Sequence, residues 1–454
     1  REMAKICRKV VTQHVKDKNL DQAVVNSAEL ESYLGVYKYD YGRAEEKNQV
    51  GQVTGLAWTS VGGELLTIEA TAVKGKGRMV KDRLGRLVKD LGVITPAQAG
   101  NDLSISIDLR LQYQAYRELK ASVKQHGAKA GSLVMVDVST GEILALVNQP
   151  AFNPNNRSEL SSHAVRNRSI TDIFEPGSTV KPFTVVAALM SGQIQHDTII
   201  NTHPGYMRVG KKTIRDHRDY GKLDITGILT KSSNVGVSKL ALKLGGENLW
   251  DSYQKLGFGQ PLGLGLSGEN SGKVAVRDRK WRPLQTATLS YGYGLAVTPL
   301  QLAQAYQVLA NDGIKKPLTL IHQDTNDNAV GTQVIPKKIA NQVLKMLQTV
   351  VGPKGTARRA KVDGYNVAGK TGTVHKVGKN GYEDESYVSI FAGIAPVENP
   401  KIVTVVVIDE PSGREYYGGE VAAPIFSRVT QASLRLLRVP PTEVDRNAVA
   451  GGSL

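Results

Sequence analysis

Ser178-Thr179-Val180-Lys181 sets a hydroxyl and an amine three residues apart. On a helix that spacing puts both groups on one face. A serine hydroxyl attacks a carbonyl once a base takes its proton, and a lysine serves as that base when its amine is neutral. Burial and a second nearby cation both push a lysine toward the neutral form. Pro176-Gly177 opens an apolar run from Ser178 to Met190, which reads as a helix start. Its N-terminus adds free N–H groups and partial positive charge beside the reacting oxygen. The motif is weak alone, because Ser252-Tyr253-Gln254-Lys255 repeats the spacing without such an entry. That second match reads as a serine and a lysine on a solvated face.

Two further motifs change the weight of the first. Ser232-Ser233-Asn234 is the only S-x-N in the chain. Ser232 can relay a proton between the lysine and a leaving amine, and Asn234 can hold a substrate amide. The plainer alternative is a polar turn or N-cap before a helix over Val235 to Leu244. Lys370-Thr371-Gly372-Thr373 follows the strand-like Tyr365-Asn366-Val367-Ala368-Gly369. A strand edge with Gly372 near a lysine lets a peptide lie alongside and pair with the backbone. Lys370 can bind a carboxylate and depress Lys181 by repulsion, and Thr371 and Thr373 can hold the same carboxylate. The N–H groups of Thr373 and Ser178 can form an oxyanion hole; the alternative is an ordinary Thr-Gly turn. The order S-x-x-K, S-x-N, K-T-G, each in its setting of helix start, loop and strand edge, is that of serine acyl-enzymes that handle D-alanyl peptides and β-lactams.

The elements that must position these groups are partly legible. Ser132 to Val138 reads as a strand, Ser139-Thr140-Gly141 as a turn and Glu142 to Val147 as the returning strand. Pro182 is tolerable in its helix only because it falls in or near the first turn. Thr298, Pro299 and Gln301 form a capping box, with Leu302, Tyr306 and Leu309 as an apolar stripe and Gly313 as the stop. Lys401 to Ile408 is β-branched throughout its apolar stretch, as in a strand buried on both faces. Helices and strands mix without strict alternation, so the class is α+β. Residues 78–101 read as charged and irregular, after a junction at Lys74-Gly75-Lys76-Gly77.

Composition bounds the rest. The chain has 454 residues, 41% of them hydrophobic and 22% charged, which suits a folded protein of two to four domains. Its formal net charge of +16 favours an anionic partner. The positive charges are dispersed apart from short clusters such as Lys280-Trp281-Arg282 and Arg358-Arg359, and they form no aromatic-rich basic stripe, so a wall or membrane surface is expected and nucleic acid is not. The single cysteine, Cys7, forbids an intrachain disulfide. The eight histidines show no ligand spacing, so neither metal nor cofactor is expected. No apolar run approaches the roughly 20 residues of a membrane span. With Arg at its first position, the chain reads as a fragment from which an anchor has been removed.

From about residue 78 to 438 the sequence resembles the class B, division-specific penicillin-binding proteins of Gram-negative bacteria. The resemblance rests on Arg166-Asn167-Arg168-Ser169-Ile170-Thr171-Asp172, Phe174 to Pro182, Lys231 to Ser238, Tyr291-Gly292-Tyr293-Gly294, Thr298-Pro299-Leu300-Gln301 and Tyr416-Tyr417-Gly418-Gly419. It implies a penicillin-binding (transpeptidase) fold over 102–438, with a five-stranded antiparallel sheet flanked by helices, and 439–454 as a tail. It implies acylation of Ser178 by the D-Ala-D-Ala end of a stem peptide, release of D-Ala and transfer to a neighbouring stem's amine. Catalytic roles fall on Ser178, Lys181, Ser232, Asn234 and Lys370, and substrate binding on Thr371, Gly372, Thr373 and Tyr417. Peptidoglycan stem peptides, β-lactams, a septal glycosyltransferase and other division proteins are the implied partners, with the native protein in the inner membrane and its catalytic domain in the periplasm. Residues 1–77 instead resemble part of the Lon protease, through Tyr33-Leu34-Gly35-Val36, Asp40 to Ala44 and Gly51 to Trp58. They lack a P-loop and Lon's catalytic Ser/Lys segment, so no protease or ATPase function is expected of them, and the chain reads as a chimera. Residues 78–101 are then the remnant of the family's non-catalytic pedestal. The competing functions are a serine β-lactamase, for which no loop glutamate stands out as deacylation base, a D,D-carboxypeptidase, and a non-enzymatic β-lactam sensor or division scaffold.

Overall fold

The computed structural model describes residues 102–442, except 154, 156–160, 275–280, 324–329, 379–380 and the side chains of 377–384, together with the backbone of four strands between residues 52 and 93. The chain falls into two compact units, Arg1–Asp102 and Leu103–Leu454. In the first, β1 (Gln52–Thr59) pairs antiparallel with β2 (Gly62–Glu69), and β3 (Gly77–Lys81) with β4 (Leu87–Val93). The stretch read as charged and irregular therefore contains a strand pair. Its register shifts between Gly77 and Met79 and again between Val80 and Lys81, which breaks the alternation that reveals a strand. Cys7 and the Lon-like strings before Gln52 lie outside the described residues.

The second unit is built on one antiparallel sheet of five strands. Their order is β9 (Ala368–Gly378), β10 (Gly381–Ala395), β11 (Ile402–Asp409), β5 (Ala130–Asp137) and β6 (Ile143–Gln149). Every residue from Ile402 to Ile408 is buried, so the β-branched run is the central strand, covered on both faces as its composition requires. On β6 the burial alternates instead, which marks an outer strand with one covered face. Helices α1 (Leu109–Gln125) and α6 (Gly418–Leu436) pack against the sheet and each other. Helix α5 (Pro299–Ala310) lies across β11 and β5. Thr298 caps α5 with the reciprocal Gln301 bonds expected of the sequence. Two expectations for α5 are corrected. Its surface is buried all round instead of along a stripe, and it ends at Ala310 with Asn311 as C-cap, Gly313 lying two residues beyond at φ +84°.

The segment bearing the S-x-x-K motif begins as a 3₁₀ turn, Gly177–Val180, and becomes α-helical only at α2 (Lys181–Met190). Proline explains the switch. An α-helical bond to the Ser178 carbonyl would come from residue 182, and Pro182 has no N–H to give; the Lys181 N–H takes that carbonyl instead. In a 3₁₀ turn residues i and i+3 eclipse, which aligns Ser178 with Lys181. The start of α2 is then pinned from below. Phe183 meets Tyr306 and Phe258 edge-on at 5.3 and 5.9 Å, and the Tyr306 hydroxyl donates to the Thr179 carbonyl at 2.8 Å.

Two glycines let backbones close around this turn. Gly292 has φ +91°, and a Cβ there would sit 2.4 Å from the Gly177 carbonyl oxygen. A Cβ on Gly418 would sit 2.3 Å from the Gly372 carbonyl oxygen. Gly292→Ala should destabilise the protein by about 2 kcal/mol or more, since strain at positive φ adds to the clash. It should also slow penicillin acylation, because the displaced residue precedes Ser178. Thermal denaturation and an acylation time course check both effects.

Candidate active site

The three motifs converge. Ser232 is the C-cap of α3 (Ile225–Lys231), at φ 57°, and Asn234 begins α4 (Asn234–Leu244). Lys370 to Thr373 lie on β9, at the edge of the sheet, with Lys370 opposite Ala392 and Thr373 opposite Ser389 on β10. A Thr-Gly turn is thereby excluded. Lys181 Nζ donates to the Ser232 carbonyl at 2.5 Å and to Asn234 Oδ1 at 2.7 Å, and lies 3.1 Å from Ser232 Oγ. Lys370 Nζ reaches the same Ser232 Oγ at 3.0 Å and the Thr371 carbonyl at 3.3 Å. Both lysines are 0% exposed.

Two ammonium groups in that position would be costly, and both amines respond. Burial, then the neighbouring Lys370 charge, hold Lys181 well below the usual lysine range. Repulsion by Lys370 is therefore real but second to burial. Burial alone brings Lys370 down to about 7. One hydroxyl between two amines suits a single shared charge: an ammonium on Lys370 donates to Ser232 Oγ, whose O–H then donates to a neutral Lys181.

Above them lies an open cleft of about 620 Å³, lined by Ser178, Ser232, Asn234, Thr371, Thr373 and Tyr417 among others. Ser178 is half-buried, and its Oγ makes no hydrogen bond among the described residues. Gly372 does not line the cleft. A Cβ there would be 3.0 Å from both the Pro176 carbonyl oxygen and Thr179 Cγ2, so this glycine lets β9 pass close to the Ser178 turn. Thr371 is buried and its hydroxyl meets Thr356 Oγ1 at 3.1 Å, while Thr373 Oγ1 accepts from the Gly418 N–H at 2.9 Å. Tyr417 stands 43% exposed on the rim, stacked on Tyr416 at 4.5 Å, which in turn stacks on Tyr387 at 4.3 Å.

Several residues of the site escaped the sequence. Asp216, just after the hairpin β7 (Tyr206–Val209) and β8 (Lys212–Arg215), accepts from Ser233 Oγ at 2.6 Å and from the backbone N–H groups of Asn234 and Val235 at 2.5 and 3.0 Å. Ser233 also caps α4 by accepting from the Gly236 N–H at 2.8 Å. The capping alternative is thus true of the middle serine, while its neighbours face Lys181. Tyr291, Tyr293, Arg358 and His217 line the cleft as well. Nothing in local spacing marks Asp216 or His217; Tyr291 and Tyr293 were visible only inside a longer string.

The family model for the penicillin binding protein transpeptidase domain matches residues 131–431. The chain belongs to that family. This penicillin-binding protein is 45% identical over 368 residues to the probable peptidoglycan D,D-transpeptidase PbpC of Pseudomonas aeruginosa, a match covering 81% of this chain and 64% of that protein. It is 43% identical over 380 residues to the peptidoglycan D,D-transpeptidase FtsI of Escherichia coli, covering 83% and 64%. The chain thus spans a little under two thirds of the length of these curated relatives. Among solved structures, the apo transpeptidase domain of penicillin-binding protein 3 from Burkholderia pseudomallei is 39% identical, with a TM-score of 0.70, over 76% of this chain and 100% of that one. The penicillin-binding fold expected of the resemblance is the fold observed. A second model, for the Lon protease (S16) C-terminal proteolytic domain, matches residues 24–99 of this penicillin-binding protein.

Two outcomes follow from the geometry. Asp216→Ala strips three donors of their acceptor and should cost about 1–3 kcal/mol. It should slow penicillin acylation at least tenfold, measured alongside the melting temperature. A lysine whose folded pKa of about 7 lies below its unfolded value destabilises the fold at low pH. Between those two values the unfolded state binds more protons, so stability rises with pH. Lys370→Met should therefore gain most over the wild type below pH 7 and lose that advantage as pH approaches ~10; denaturant melts across that range test the sign.

Proposed function

We propose that this protein is a peptidoglycan D,D-transpeptidase that works through an acyl-enzyme on Ser178 and is a target of β-lactams. The observation that carries this is the pair of fully buried lysines, Lys181 and Lys370, sharing Ser232 Oγ at 3.1 and 3.0 Å beneath a cleft that Ser178 lines. A structural ion network would pair such cations with carboxylates, whereas these meet hydroxyl, carbonyl and amide oxygens.

In the proposed sequence, Ser178 Oγ attacks the carbonyl of the penultimate D-Ala as its proton passes to neutral Lys181. The N–H groups of Ser178 and Thr373 hold the oxyanion. Ser232 relays the proton to the departing D-Ala nitrogen, and the C–N bond breaks to leave an ester on Ser178. A second stem's amine then attacks the ester carbon, and its proton returns to Ser178 Oγ. Lys370, with Thr371 and Thr373, holds the substrate carboxylate; Asn234 holds the stem amide, and Tyr417 closes over it from the rim. Gly372 serves this site by spacing. The names of the relatives favour an amine acceptor over water.

Assignment to the septum, with a glycosyltransferase and other division proteins as partners and an inner-membrane anchor, rests on the likeness to FtsI; among the described residues no helix is long and apolar enough to cross a membrane. The similarity to FtsI covers more residues than the unit Leu103–Leu454 holds, which favours residues 78–101 as a pedestal remnant, whereas the Lon match runs on to residue 99; the Lon-like piece carries no catalytic motifs.

Intact mass after incubation with a fluorescent penicillin should show one stable adduct, absent in Ser178→Ala. Rapid turnover of the drug without an adduct would mean a β-lactamase; intact drug and no adduct would leave a non-enzymatic scaffold.

A further inference from the structure

A second cavity, of about 740 Å³, adjoins the cleft. Val374 and His375 of β9 line both spaces. A Cβ on Gly177 would lie 2.5 Å from Val374 Cγ1, so the sill between the two cavities is the turn that carries Ser178. Its lining is rich in cations, with Lys129, Arg166, Arg168, Lys273 and Lys376. The acidic groups there are already engaged. Asp172 accepts from Arg166 Nε at 2.5 Å and from the Thr171 hydroxyl at 2.7 Å; Asp409 is held by Lys376 at 2.9 Å, and Glu175 accepts from the Gly294 N–H at 3.1 Å.

Two of the cations are left short of negative charge. Arg168 is 5% exposed, yet its guanidinium bonds mainly to the carbonyl of His163 at 2.8 Å and that of Arg166 at 3.3 Å, with the Asp172 carboxylate 4.0 Å away. A buried cation needs close compensation. Lys273, an exposed residue of the lining, has no ion pair among the described residues. The volume is that of a site for a short peptide or similar ligand, and the charge asks for an anion.

We propose that this cavity seats the acceptor peptide, taking its C-terminal carboxylate against Arg168 and Lys273 while its side-chain amine crosses the Gly177–Val374 sill to the acyl group on Ser178. The assignment rests on the transpeptidase function above. In the transfer step the amine nitrogen bonds to the acyl carbon, the ester C–O bond breaks, and the proton lost by the amine goes to Ser178 Oγ. The donor occupies the β9 edge, so the two peptides approach Ser178 from opposite sides of one strand segment.

The test uses the full chain acylated with benzylpenicillin and verified by intact mass, which fills the donor cleft. The synthetic tetrapeptide L-Ala-γ-D-Glu-L-Lys-D-Ala is titrated calorimetrically as its free acid and as its C-terminal monoamide. The free acid should bind about tenfold tighter. Lys273→Ala, at an exposed position, and Arg168→Gln, checked by its melting temperature to be folded, should each weaken the acid about three- to fivefold and leave the amide unmoved. Equal binding of acid and amide, or unchanged affinity in both variants, would overturn the acceptor site while leaving the acyl-enzyme intact. Failure to form the penicillin adduct at all would overturn the transpeptidase function and the acceptor site with it.

Discussion

Two lysines placed on one serine hydroxyl, out of reach of water, cannot both keep their protons cheaply. Desolvation of a buried ammonium is worth several pKa units, and a like charge within hydrogen-bonding range adds to it. The described residues offer Lys181 and Lys370 no contacting carboxylate. Their oxygens come from Ser232, Asn234 and Thr371. The pair therefore holds its protons loosely, which is what a general base near neutral pH requires. Asp216 is the carboxylate whose charge favours the Lys181 ammonium, and its oxygens are engaged by the loop that presents Ser232 and Asn234.

A strained constellation of this kind survives only on a stiff support. Each lysine comes from an element anchored independently of the other. Lys181 begins a helix whose residues are buried through Leu189 and whose first turn is tied to α5 by Tyr306. Lys370 sits on a strand whose partners in the sheet lead to a fully buried centre. Glycines at 292, 372 and 418 remove the side chains that would hold these elements apart. Packing of that density lets the core bear the cost of charge without allowing the two amines to separate.

What was legible in the sequence was local. Pro176 to Pro182 announces a helix start, Thr298 to Gln301 a capping box, and Ile402 to Ile408 a central strand, because each depends on neighbours within a turn or a pleat. Lys370 to Thr373 was legible as a strand edge for the same reason. The 3₁₀ form of the Ser178 turn follows from Pro182 but needs the helix register to be seen. Asp216, His217 and the cationic lining around Arg168 depend on elements far apart in the chain, so spacing carries no trace of them. The β3–β4 pair was missed because its register shifts hide the period-two pattern. Gly372 was read as a substrate-binding residue; that it lets β9 approach the Ser178 turn appears only when distant parts of the chain are brought together.

Lysine side-chain NMR tests the shared charge most directly. In protein labelled at lysine ¹³Cε and ¹⁵Nζ, the signals lost in Lys181→Met and in Lys370→Met assign the two amines. Both should titrate far below the other lysines, Lys370 near 7 and Lys181 also well under the usual range. Both amines titrating with the surface lysines near ~10 would show that the buried pair keeps two protons, and would remove Lys181 as the base.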